Sequence, residues 1–223
     1  MKAHTPRAVR GIAVIFVAAL AGHAAPALAQ TAMSAPTTMS PAERARADNG
    51  HAPYTQADLH FMTGMIGHHA QAILMAGWAP SHGAGPDVAV LCERIVVSQR
   101  DEINFMQRWL RDRHENVPDG DPQHALAMTR MPGMESMMMP GMLTADQLAR
   151  LDAARGADFD RLFLIYMIQH HQGAVTMVQQ LFDAPGAAQE EYVFKFANDV
   201  NADQTTEIAR MNRMLDLMDS GGR

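Results

Sequence analysis

The sequence predicts an all-α protein, a four-helix bundle built from two duplicated helix hairpins and joined by a long Met-rich crossover with one short extra helix. Three observations predict it. Apolar residues recur at helical spacing in four long segments, clusters of Pro and Gly separate those segments, and the first pair of segments overlays on the second. No alternating strand pattern competes with this.

The first 29 residues do not belong to the fold. Lys2, Arg7 and Arg10 precede an apolar run from Gly11 to Ala21, and Ala27-Leu28-Ala29 offers a small-residue cleavage site, the pattern of a signal peptide cut near Ala29. The run is too short to span a bilayer, so the mature chain is expected to be periplasmic or otherwise secreted, without stable membrane insertion. Residues 30–53 are polar and Pro-containing and read as a disordered tail. Residues 54–218 read as one domain, comprising hairpin one at 55–113, the crossover at 114–157 and hairpin two at 158–218.

Thr55-Gln56-Ala57-Asp58 is a capping box that opens helix one, which runs to Trp78 before Ala79-Pro80 and the Gly83 to Pro86 breaker. Pro86 and Asp87 suit the first turn of helix two, where Leu91, Ile95, Val96, Ile103, Met106 and Leu110 recur at helical spacing. Between His114 and Leu143 the pairs Asp119-Gly120, Pro132-Gly133 and Pro140-Gly141 exclude one continuous helix. A second box, Thr144-Ala145-Asp146-Gln147, starts the short helix; helix three follows from Asp158 to Phe182 and helix four from about Gln189 to Met218.

Helices one and three overlay residue by residue: Asp58, Phe61, Met65, His68, His69 and Met75 fall on Asp160, Phe163, Met167, His170, His171 and Met177. Helices two and four overlay in the same way, with Gln99, Glu102 and Met106 falling on Gln204, Glu207 and Met211. Each hairpin can then bury its apolar face against the other.

Removing three positive charges with the leader takes the formal net charge from −6 to −9, which disfavours nucleic acid and anionic membrane surfaces as partners. Cys92 is the sole cysteine, so no intrachain disulfide exists, whereas the chain holds 19 methionines. In an oxidising compartment thioether can replace thiolate as the sulfur donor.

On a helical wheel Met65, His68, His69 and Met75 share one face of helix one, and Met167, His170, His171 and Met177 repeat it in helix three. Adjacent histidines lie about 100° apart, so one of each pair is expected inward and the other at a helix boundary. Gln99, Glu102, Gln204 and Glu207 put polar groups on stripes that should be buried. Glu102 and Glu207 suit imidazole N–H partners that would fix a ligating histidine's tautomer. A hydrogen-bonded polar core with Met as packing is the bland alternative.

The crossover tips the balance toward metal. Met128, Met131, Met134, Met137, Met138, Met139 and Met142 place seven methionines in fifteen residues, and neutral thioethers favour Cu(I) and Ag(I) over hard cations. Cys92 aligns with Ala197 and reads as a small buried hydrophobe; His51, His60, His82, His114 and His124 lack counterparts in the repeat and read mostly as solvated surface groups.

The run Phe163-Leu164-Ile165-Tyr166-Met167-Ile168-Gln169-His170-His171-Gln172-Gly173-Ala174-Val175, with Gln204, Glu207, Ile208 and Met211, resembles the domain of unknown function 305 family. Met65-Ile66-Gly67-His68-His69 and Gln99, Glu102, Ile103, Met106 repeat it. The resemblance implies an exported ferritin-like bundle, and some members are periplasmic copper-binding and copper-resistance proteins with Met and His ligands. It carries a copper role onto Met65, His68, His69, Met167, His170 and His171, and no enzyme activity. A di-iron oxidase would need Glu-x-x-His pairs, where this chain has Met-x-x-His and Gln-x-x-Glu. The expected function is therefore a non-enzymatic Cu(I) carrier or sequestering protein, with another periplasmic copper-handling protein as its partner. The alternative is a metal-free envelope interaction protein that uses its Met surface.

Overall fold

A computed structural model describes residues 53–131, 133 and 138–221; the expected signal peptide, nearly all of the expected tail with His51, and Met134 and Met137 of the crossover lie outside the described residues. Every regular element among the described residues is a helix: α1 Gln56–Gly77, α2 Ala79–His82, α3 Pro86–Asp112, α4 Pro122–Thr129, α5 Ala145–Ala153, α6 Ala157–Asp183 and α7 Glu191–Gly221. None is long and apolar enough to cross a membrane.

The helix ends follow their local chemistry. Thr55 Oγ1 accepts from Asp58 N at 3.2 Å while Asp58 Oδ2 accepts from Thr55 N at 2.7 Å, the reciprocal box that satisfies two otherwise orphaned donors of α1. Thr144 and Gln147 repeat this at α5. Two short helices were not expected. Pro80 does not stop the chain outright, because Pro is tolerated in a first turn, and α2 makes one turn before Gly83 ends it at φ 70°. In the crossover, Asp121 Oδ1 accepts from Gln123 N at 2.7 Å and Pro122 supplies the first position of α4.

The hairpins are α1 with α3 and α6 with α7, and they meet through α1 and α6. These two run antiparallel, and their repeated aspartates tie the ends. Asp58 Oδ1 accepts from Ala188 N at 2.7 Å, while Asp160 accepts from Gly85 N at 3.0 and 3.1 Å, so the first turn of each inner helix holds the other hairpin's turn. Beyond α3, the Arg113 guanidinium lies 3.5 Å from Glu190 and 4.2 Å over the Trp109 ring, and Trp109 Nε1 donates to Glu190 at 3.0 Å. Both charges are buried; Glu190 also accepts from Val193 N, and Arg113 Nη1 donates to Trp109 O at 3.2 Å while Nε and Nη2 have no hydrogen-bond partner among the described residues.

Apolar packing forms two clusters. One holds Phe61, Met65, Met106, Trp109, Met177 and Phe196; the other holds Met75, Leu91, Ile95, Phe163, Met167 and Met211. Along α6 the change from one to the other falls between Met167 and Ala174, the stretch that carries His170 and His171.

The end of the crossover is a strap laid over α1 and α6. Gln71, fully buried, donates to Leu143 O at 3.0 Å and accepts from Leu143 N at 2.7 Å. Gln169 Nε2 donates to Gly141 O at 3.3 Å. The strap seats this low because α6 carries Gly173: a Cβ there would stand 1.9 Å from Pro140 O, and one at Gly141, whose φ is 76°, would stand 2.6 Å from Gln169 O. Gly173→Ala should therefore destabilise the fold by about 1–3 kcal/mol, as overpacking does. Gly67→Ala, whose added carbon would meet nothing within 4 Å, should stabilise it by about 0.5–1 kcal/mol. Urea midpoints of the two variants check both signs, and equal midpoints would mean that the strap is not seated on Gly173.

Candidate metal centre

α1 brings His68 and His69, and α6 brings His170 and His171, to the crossing of the inner helices. All four are buried, with at most 1% of any of them exposed. Each inner helix has neighbours on two sides: His68 and His170 face one another, while His69 and His171 face the outer helix of their own hairpin. Ring centroids are 6.3 Å apart for His69 and His68, 3.8 Å for His68 and His170, and 6.3 Å for His170 and His171, a row of four imidazoles.

The acceptors around the row fix which nitrogen bears hydrogen. His171 Nε2 donates to Glu207 Oε2 at 2.6 Å, and His69 Nε2 donates to Glu102 Oε2. His68 Nε2 donates to Pro140 O of the strap at 3.0 Å. A carboxylate or carbonyl can only accept, so in the neutral rings Nδ1 is left as a bare lone pair. Among the described residues Nδ1 of His68, His69 and His171 has no hydrogen-bond partner of good geometry, nor has either ring nitrogen of His170. Both amide atoms of Gln99 and Oε1 of Gln204, one turn before the two glutamates, are buried and unpartnered in the same way. A buried polar atom left unpaired costs about 1–3 kcal/mol, so this cluster is expensive as a purely structural core.

Burial holds the His68 imidazole down at about 3, with the neighbouring His69 adding to the effect, and burial followed by His68 holds His170 well below the usual histidine range. The outer ends of the row meet an acidic groove between α3 and α7 that Asp101, Glu102, Asp199 and Asp203 help to line. Burial, and after it the charges of Glu102 and Glu207, raises the Asp203 carboxyl.

The methionines divide in two. Met65, Met75, Met106, Met167 and Met211 are fully buried and Met177 is 5% exposed, all inside the two apolar clusters. Of the crossover set, Met128, Met138, Met139 and Met142 are half-buried and line a cleft of about 360 Å³ against Gly64, Gly67 and Ala70 of α1, whereas Met131 is exposed. Among the described residues no three His, Cys, Asp or Glu side chains converge to hold an ion, so a metal here would have to complete its shell with thioether or amide donors.

Residues 58–215 match the domain of unknown function DUF305. The chain belongs to the DUF305 family. A solved DUF305 fragment from Deinococcus radiodurans is 27% identical with a TM-score of 0.61, over 74% of this chain and 99% of that one. CopM, solved in Cu(II)-bound and Cu(I)-bound forms, is 28% identical with TM-scores of 0.55 and 0.54, over 71% of this chain and 95% of CopM. Its Ag-bound form from co-crystallisation gives 27% and 0.53 over the same shares. Uncharacterized protein L153 of Acanthamoeba polyphaga mimivirus is 38% identical over 56 residues, 25% of this chain and 37% of that protein.

Within this DUF305 chain several site-building residues have no obvious mark in the sequence. Pro140 acts through its carbonyl, which any residue would supply. Gln71 had a findable signal, a polar residue one turn after His68 on the buried face. Gly173, a glycine inside a long helix, marks a close backbone approach. His82 corrects the expectation of a solvated surface group: it is 4% exposed, lies between the Trp78 and Phe159 rings at 5.7 and 5.1 Å, and bonds Asp152 O through Nε2 at 3.0 Å. Cys92 is buried, and its thiol is pushed up to about 12 by that burial, then by Asp160 and Glu93, which leaves it a protonated, weak donor at neutral pH.

The neutral imidazoles set a pH dependence for the metal-free fold. His68 titrates near 3 when folded and near 6.5 when unfolded, so its contribution is complete above pH 6.5 and is lost as pH falls from there toward 3. Metal-free protein should thus lose about 1.4 kcal/mol per pH unit for each such histidine between pH 6 and 5, read as a falling urea midpoint. A midpoint flat from pH 7 to 5 would mean that the row is hydrated.

Proposed function

We propose that this protein binds copper as cargo, sequestering or shuttling Cu(I), and Ag(I) with it, in the periplasm or outside the cell after its leader is removed. In that role it contributes to copper homeostasis or resistance and exchanges metal with another copper-handling protein, without catalysing a reaction. The observation that carries the reading is the buried imidazole row. Four buried rings, three with Nε2 held by a fixed acceptor and with Nδ1 unpartnered among the described residues, are nitrogen donors prepared in advance, at a place where leaving them unpaired is costly.

Glu102 and Glu207 would act as the carboxylates that orient ligating histidines, and the Pro140 carbonyl would do the same for His68. The buried thioethers of Met65 and Met106 on one side of the row, and of Met75, Met167 and Met211 on the other, supply neutral sulfur. A neutral N and S donor set favours a soft monovalent ion and disfavours Mg(II) or Ca(II). CopM, with its Cu(I)-, Cu(II)- and Ag-bound forms, supports metal of this class in the family. The crossover methionines Met128, Met131, Met138, Met139 and Met142, with Met134 and Met137, would capture and release the ion at the surface.

An anaerobic Cu(I) titration against a chromophoric chelator tests this. The protein should withdraw one or more Cu(I) per chain, and Glu102→Gln or Glu207→Gln should weaken the tightest site about 10–100-fold, as loss of an orienting partner does elsewhere. His68→Ala with His170→Ala should abolish that site. A wild-type protein that never competes with the chelator overturns the reading.

A further inference from the structure

A second cluster of soft donors lies outside the imidazole row. His60 of α1, Met177 of α6 and Met139 of the strap line one pocket of about 70 Å³, together with Gln180 and Leu181. The pocket has the size of an ion rather than of an organic ligand. His60 is exposed and Met139 half-buried, so solvent reaches the pocket, unlike the row. Gly64, one turn after His60, is what admits the strap sulfur: a Cβ at position 64 would stand 3.1 Å from Met139 Sδ and 2.6 Å from its methyl carbon.

The internal duplication supplies a comparison within the molecule. His60 overlays on Leu162, and Met177 overlays on Met75, which is fully buried in the second apolar cluster. Packing needs alone would have been met equally in both halves. The place that meets the strap instead combines the exposed imidazole of one half with the buried thioether of the other, and the strap adds a half-buried second thioether.

We propose that His60, Met139 and Met177 form a separate, solvent-accessible site for a soft monovalent ion, Cu(I) or Ag(I), acting as an intake site for the buried row. Two thioethers and one imidazole give a neutral three-donor set suited to that ion class and poor for hard divalent cations. The site is linked to the row through the strap: Met139 is followed directly by Pro140, whose carbonyl receives the His68 Nε2–H. An ion on Met139 therefore sits one residue from the atom that holds His68 in place. This inference rests on the copper-binding reading and places a second site within it.

The test is silver nitrate added to the purified protein carrying methyl-13C methionine, followed by NMR, with Met139→Leu and Met177→Leu used for assignment. Met139 and Met177 methyl resonances should move together with silver. His60→Ala, an exposed substitution, should weaken that response by about tenfold or more while sparing the chelator-competing Cu(I) of the row. If silver binds but these two methyls stay still, or if His60→Ala leaves their response unchanged, the intake site is wrong and the row can stand. If the protein binds neither silver nor Cu(I), both fall together.

Discussion

The structure depends on the antiparallel crossing of α1 and α6, where the His68 and His170 rings meet with centroids 3.8 Å apart and planes tilted by 40°. The four buried imidazoles at this crossing lie between two apolar clusters. The two aspartate ties, Asp58 to Ala188 and Asp160 to Gly85, hold the ends of the crossing helices at fixed register. With the ends fixed, the rings at the middle have no freedom to slide past one another. The outer helices then need only present Glu102 and Glu207 one layer out, where each carboxylate stays partly hydrated while its histidine does not.

That arrangement resolves what would otherwise be a costly core. A buried carboxylate without a partner would unfold a marginal domain, and a buried imidazole without one is little better. Pairing Nε2–H with Glu102, Glu207 and the Pro140 carbonyl satisfies one nitrogen on three of the four rings and leaves the other bare. A core selected for stability alone would have closed these pairs with Leu or Phe, as the flanking clusters do. The unpaired atoms are concentrated where soft donors are also concentrated, which is why the row reads as a binding centre rather than as accidental polarity.

Much of this was legible in the sequence, and the parts that were share one property: they are local or repeated. The boxes at Thr55 and Thr144 and the breakers around Gly83 to Pro86 mark the helices because the capping chemistry lies within four residues. The duplication showed that His68 and His69 correspond to His170 and His171, and the polar stripe of Gln99 and Glu102 pointed to a partner on the facing helix. What was not legible depends on the third dimension. One helical wheel has one inward direction, whereas α1 packs against α6, α3 and the strap at once, so both histidines of a pair could be buried. The strap contacts of Gln71, Pro140 and Gly173 join residues with no pattern in common, and α4, despite an ordinary helix start at Asp121-Pro122, is only eight residues long, too short to carry a sustained apolar period.

The duplication also separates what the two halves share from what each has alone. His, Glu, Gln and Asp of the crossing occur twice and are related by the repeat, so a single ancestral hairpin could have formed them by pairing with a copy of itself. The strap occurs once. It covers one side of the crossing, takes the Nε2–H of His68 and leaves His170, the repeat partner of His68, with no acceptor. Two rings that are equivalent in sequence are thereby made unequal in chemistry, one tethered to the strap and one with both ring nitrogens unpartnered among the described residues. A symmetric row would offer an ion two identical routes and no direction of transfer. The asymmetric one has the crossover methionines on the strap side and the acidic groove between α3 and α7 at its outer ends.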